Sequence, residues 1–155
     1  MTDEQLEYRP ITKADWKVVE SVLAGAYGRV RMRCDGYLVQ LSVRRIKPRQ
    51  YAILVYVNGW SKGEWLGSKS DSEEARRFLQ IKTVKLYSDA QRKKLVKAFG
   101  KRRATEMGVF GERQYRQLHW TSVPAMKKHF VANNSLIEIC VDDAKPIEDV
   151  IDVYR

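Results

Sequence analysis

The sequence predicts an α+β fold: an N-terminal helix, a four-stranded antiparallel meander, then a helical basic half with a late edge strand. Three observations predict it. Asp35-Gly36 and Asn58-Gly59 each sit between alternating apolar runs, a strong short-range sign of tight antiparallel turns. Before them, Trp16, Val19, Leu23 and Ala26 recur at near-helical spacing. After them, three serine- or threonine-led capping patterns mark helix starts. With 155 residues, one domain over 1–155 is expected. Its parts are a lead-in (1–11), the helix plus meander (12–66), a basic helical part (67–134), and a strand with an acidic tail (135–155).

Arg9-Pro10 opposes helix and keeps the lead-in extended. Thr12 with Asp15 forms a capping box, opening a helix that runs to about Ala24, with Gly25 and Gly28 after it. Its apolar stripe is expected to cover one face of the sheet. The strands are expected at about 29–34, 37–45, 51–57 and 60–66. A two-residue turn at Asp35-Gly36 pairs Cys34 with Tyr37, Met32 with Val39 and Val30 with Leu41. With a side-chain period of two, these six share a face with Val43. Arg29, Arg31, Arg33 and Arg44 take the other face with Leu38, Gln40 and Ser42, so that face is at least partly wet.

The second hairpin has two registers. A two-residue turn at Asn58-Gly59 puts Lys62 and Glu64 on the face of Tyr51, Ile53, Val55 and Val57. A three-residue loop with a glycine bulge moves those charges to the opposite face. The bulged form is expected for that reason. Leu54, Tyr56 and Trp60 then fall on the second face.

Downstream, Ser70 with Glu73 supplies a capping box, and Glu73 and Glu74 suit a positive helix start. Residues 81–87 read equally as a short strand or a connector. Ser88 with Gln91 opens a clearer helix that Gly100 can close. Residues 101–120 are expected to be a long loop around a short helix. Thr121 or Ser122, with Pro124 in the first turn, begins a last helix ending near Asn133-Asn134. Residues 135–141 are strand-like, and Pro146 breaks the chain before its acidic end.

Charge is the most informative property. The chain carries a net charge of +10, which favours a polyanionic or acidic partner and argues nothing about fold. Between Arg76 and Arg103 lie Arg76, Arg77, Lys82, Lys85, Arg92, Lys93, Lys94, Lys97, Lys101, Arg102 and Arg103, against Asp89 alone. These are candidate phosphate contacts, together with the sheet residues Arg29, Arg31, Arg33 and Arg44. Tyr87, Phe99, Tyr115 and Trp120 could stack bases. The bland alternative is a solvated helix face over core aromatics. No apolar run reaches membrane-spanning length and the acidic start is no secretory signal. Cys34 and Cys140 sit in strand-like alternation and read as small buried hydrophobes.

No reaction chemistry is legible. His119 and His129 match no zinc spacing with Cys140 or Glu138. GSKS at 67–70 lacks the lysine of a phosphate loop, and no Ser–His–Asp or Cys–His set can be assigned. For a nuclease, Asp35 belongs to a hairpin turn, while Glu64 and Glu138 have no partner that the sequence can assign. Catalytic, metal-binding and cofactor residues are therefore not assigned.

The stretches RCDGYLVQLSVRR, YAILVYVNGWSKGEWL, SDAQRKKLVKAFGKRRA and SVPAMKKHF resemble small basic accessory proteins encoded by tailed phages and prophages. The likeness covers most of 8–139, with VYVNGW and FGKRRA its most distinctive parts. It implies a bacterial cytoplasm and an accessory role, including action against host defence, and carries over no site residues. In layout the chain is also similar to integrase arm-binding and double-stranded-RNA-binding domains, with four strands where those have three. The function expected is non-enzymatic binding of DNA, RNA or a nucleic-acid-bearing host complex through a basic surface. An inhibitor or adaptor of an acidic host protein is the alternative, and a nuclease with an unrecognised site a further one. The acidic residues of 138–152 are expected to lie against the 76–103 segment and compete with an outside polyanion, or else to face water above a packed tail.

Overall fold

The computed structural model describes residues 6–62, 65 and 72–144. Within them, β1 (Tyr8–Pro10) leads into α1 (Lys13–Ala24), whose Thr12–Asp15 capping box forms as the sequence predicts. Asp15 is buried and accepts from Arg9 Nη2 at 2.8 Å. Trp16, Val19 and Leu23 face the core, whereas Ala26 lies past the helix end and is exposed.

Three strands follow: β2 (Arg29–Cys34), β3 (Tyr37–Lys47) and β4 (Gln50–Val57). The first hairpin has the predicted register, Cys34 opposite Tyr37, Met32 opposite Val39 and Val30 opposite Leu41. Asp35 and Gly36 both have positive φ, the two-residue turn whose twist matches the flanking strands.

The second hairpin corrects the sequence reading. Val57 and Trp60 exchange backbone hydrogen bonds at 2.9 and 3.0 Å across Asn58-Gly59, and both turn residues again have positive φ. The turn is therefore the two-residue form, not the bulged one. The charge conflict that disfavoured it does not arise, because Trp60 makes only an isolated bridge and residues 61–62 are in no strand. The fourth meander strand is absent among the described residues, and 63, 64 and 66 lie outside them.

The remaining elements are α2 (Glu73–Phe78), β5 (Gln80–Lys85), α3 (Asp89–Phe99), α4 (Lys101–Glu106), β6 (Glu112–Gln117), β7 (His119–Trp120), α5 (Val123–Asn133), β8 (Ile137–Cys140) and a 3-10 turn (Val141–Ala144). The cap of α2 is Ser72, two residues after the expected Ser70, which lies outside the described residues. The Ser88–Gln91 box, Gly100 closing α3, and α5 from Ser122 to Asn134 form as predicted. The 101–120 stretch is not a long loop. After α4 it contains β6 and β7, which pair with β5 and β4 respectively.

The main sheet is antiparallel in the order β1-β8-β2-β3-β4-β7. The late strand β8 is not at its edge, because β1 pairs along its outer side, with Arg9 opposite Ile139. Met32 sits opposite the same residue on the inner side. One face carries Val30, Met32, Leu41, Val55 and Ile139, all fully buried, under Val19 of α1, Phe78 of α2, and Met126 and Phe130 of α5. Phe78 and Phe130 meet edge to face with centroids 5.4 Å apart. Each such side chain contributes about 1.5–3 kcal/mol by leaving water. Asp35 pins this layer from the first turn, accepting from the amides of Ser135 and Leu136 and from Arg77.

Candidate nucleic-acid interface

β5, α3, α4 and β6 form an arm, residues 80–117, with its own two-stranded sheet. It holds eleven Lys or Arg against Asp89, Glu106 and Glu112, a net +8 of the chain's +10. The arm is tied to the body near its base. Arg116 Nη1 donates to the carbonyls of Ala75 and Leu79, and Gln80 Nε2 donates to that of His119.

Little in the arm is buried. Between 81 and 117 only Ala104 and Val109 are fully buried, and α3 has no buried residue. Polar, charge-rich segments bury too little apolar surface for a large core, so the ribbon and the Ser88 and Gly100 caps fix its shape. On α3, Lys93, Lys94 and Lys97 are exposed, and Lys101, Arg102 and Arg103 follow in the first turn of α4. The ribbon register places Lys82, Val84, Arg113 and Tyr115 on one face. Of these, Arg113 lies beyond the dense charge run, so the sequence carries no signal for it.

Two internal ion pairs are found here, Lys85–Asp89 at 2.8 Å and Arg102–Glu106 at 3.6 Å. Both are exposed and spaced i,i+4, a type easily screened by salt. The Lys85 hydrogen bond holds the Asp89 carboxyl below its ordinary range. Arg92 is different. Its guanidinium lies 5.6 Å from the Phe110 ring centroid, and its Nε and Nη2 are shielded without a hydrogen-bond partner. Arg103 lies over Phe99 at 5.7 Å. Tyr87 and Phe99 are exposed, as are Leu86, Met107 and Phe110. Trp120 is not available for stacking: it is in the core, donating through Nε1 to the Phe78 carbonyl.

The sheet arginines divide. Arg29, Arg31 and Arg33 lie in one strand at alternate positions, hence on one face. Arg29 and Arg44 are exposed. Arg31 grips the Asp143 carboxylate through Nε and Nη2 at 2.9 and 3.1 Å. Arg33 grips Glu138 in the same manner at 3.0 and 3.1 Å, and also lies over the Tyr8 ring. Those hydrogen bonds raise both guanidinium pKa values. Arg77 is likewise held, by Glu73 and Asp35. The C-terminal carboxylates expected against 76–103 thus include two that reach β2 instead; residues 145–155 lie outside the described residues.

Each of the two histidines is engaged locally. His119 Nε2 sits 2.9 Å from Gln117 Nε2, and His129 Nε2 lies 3.0 Å from the Arg76 carbonyl, which assigns the proton to that nitrogen. Burial lowers the pKa of both rings. Burial pushes the Cys34 thiol up to about 12, so it is not a nucleophile near neutrality. Among the described residues, no group of three or more His, Cys, Asp or Glu could hold a metal. A groove of about 530 Å³ runs between α1, β4 and the start of α5, and Glu20 is its one carboxylate among the described residues. No described helix is long and apolar enough to cross a membrane. The chain has no significant match among protein-family models, curated proteins or solved structures.

Proposed function

We propose that this protein binds nucleic acid through the arm, without a chemical reaction, as an accessory protein of a phage or prophage in a bacterial cytoplasm. The accessory role rests on the sequence likeness. The binding rests on one observation: a net +8 packed into 38 residues that expose nearly every cation and hold few carboxylates. Lys93, Lys94, Lys97, Lys101, Arg102 and Arg113 contact phosphates, while Tyr87 and Phe99 offer ring faces to bases. No element presents a legible base-reading set, so binding is tolerant of sequence.

Fluorescence anisotropy with mixed-sequence DNA and RNA over a salt series tests this. If four or five phosphates are contacted, affinity falls about ten-fold for each doubling of salt. A flat salt response, or strict preference for one short sequence, overturns it. The exposed Ile81, Leu86, Met107 and Phe110 favour one second reading, an acidic host protein docked on the same arm. A host protein that stays bound to the arm after nuclease treatment, and is released by arm substitutions, would replace the first reading with the second.

A further inference from the structure

The tip of the β3–β4 hairpin is a second concentration of unpaired cations. The pairs Arg44–Ala52, Arg45–Tyr51 and Lys47–Gln50 extend this hairpin beyond its neighbours, since β2 pairs no further than Ser42 and β7 no further than Ile53. Residues 44–51 are all exposed. Arg44, Arg45, Lys47 and Arg49 lie within six positions, and no Asp or Glu occurs from 36 to 63. None of the four has an ion pair among the described residues.

Beside the tip stands an aromatic pair. Tyr27 and Tyr51 meet edge to face at 6.5 Å and 82°, with Tyr27 70% and Tyr51 44% exposed. Tyr27 has φ +65, a left-handed conformation that is costly for a bulky side chain. The Val43 amide donates to the Gly28 carbonyl at 2.8 Å and fixes this loop against β3. Cations alone would serve to keep a protruding strand pair from aggregating. A strained tyrosine held out in solvent among them serves no such end.

We propose that this hairpin tip is a second nucleic-acid site, which takes a single strand. Arg44, Arg45, Lys47 and Arg49 hold phosphates of a strand that wraps the tip, Arg44 and Arg45 from opposite faces of the hairpin, and an unpaired base stacks on Tyr27. Tyr51 supports that ring from its edge. The site is separate from the arm, whose chain enters the sheet at β7 from the Val55 side, while the tip lies beyond Ala52. The inference rests on the nucleic-acid reading given above and extends it to a second surface with a different substrate form.

The test uses the full chain and mixed-sequence DNA of about 20 nucleotides, longer than one stacking site, as a labelled single strand and as the matching duplex. Tyr27→Gly removes the ring and relieves the backbone. It should weaken single-strand binding about ten-fold, change duplex binding less than about two-fold, and leave the melting temperature equal or higher. An Arg45→Glu/Lys47→Glu variant should lower the single-strand salt slope by at least about 1.4. This second variant decides the matter if the first folds poorly. Single-strand binding at wild-type strength and slope in both variants overturns the hairpin site and leaves the arm reading intact. A wild-type chain that binds neither probe at low salt defeats both.

Discussion

Arg31 and Asp143, 112 residues apart, form a two-pronged ion pair in which the same carboxylate also accepts from the Arg31 amide at 2.9 Å. The side chains are 20% and 13% exposed, so the pair is partly desolvated. Asp143 thereby joins the end of the described chain to the second strand. It also withdraws from the surface an arginine that would otherwise invite phosphate.

Removing one partner leaves the other charge half-buried and three donors unsatisfied. Asp143→Ala should cost about 2 kcal/mol in urea unfolding, with the double change Arg31→Met/Asp143→Leu costing less than the single one. Neither Arg31→Ala nor Arg33→Ala should change nucleic-acid affinity by more than about two-fold, since both are already held by carboxylates. A large loss of affinity in either would return these arginines to the interface.

Asp35 makes stability depend on acid. The Ser135 and Leu136 amides, followed by Arg77, hold its carboxyl below the ordinary range. A lowered folded-state pKa contributes stability that is present above the unfolded value, about 3.9. That contribution is lost as pH falls from there through the folded pKa. Urea midpoints should therefore decline below about pH 4. Asp35→Asn, which still suits the left-handed turn position, should be less stable at neutral pH and show a shallower acid decline. An identical pH profile in the variant would remove Asp35 from this role.

Phe130 is fully buried against Phe78 and Trp120. Phe130→Ala should cost about 3–5 kcal/mol, read as a shifted denaturant midpoint. A loss below about 1 kcal/mol would mean that α5 is not part of the core.

The first hairpin was legible to the residue because Asp35-Gly36 fixes a two-residue turn, and the alternation then assigns each side chain a face. The second departs from its sequence pattern at Trp60. Sequence shows which register would bury Lys62, but not that the chain leaves the sheet before the conflict arises. Strand β6, ERQYRQ, has no buried residue and therefore no hydrophobic pattern to announce it. The interior place of β8 depends on the three-residue β1, too short to carry a signal. At the candidate site, the cations of α3 and α4 could be read as a cluster. That Arg31 and Arg33 meet carboxylates more than a hundred positions away could not, because such pairs are set by strand order.

If the arm's positive charge holds nucleic acid, reversing that charge must abolish binding. Lys93, Lys94, Lys97 and Lys101 are exposed and have no ion pair among the described residues, so changing all four to Glu should move the melting temperature by only a few degrees. Affinity for mixed-sequence duplex DNA and duplex RNA would be measured by anisotropy from low to moderate salt, beside the wild type. Binding through the arm requires at least about a hundred-fold loss at low salt and a salt slope smaller by about 3 to 4. A folded variant that binds with wild-type affinity and slope would contradict it.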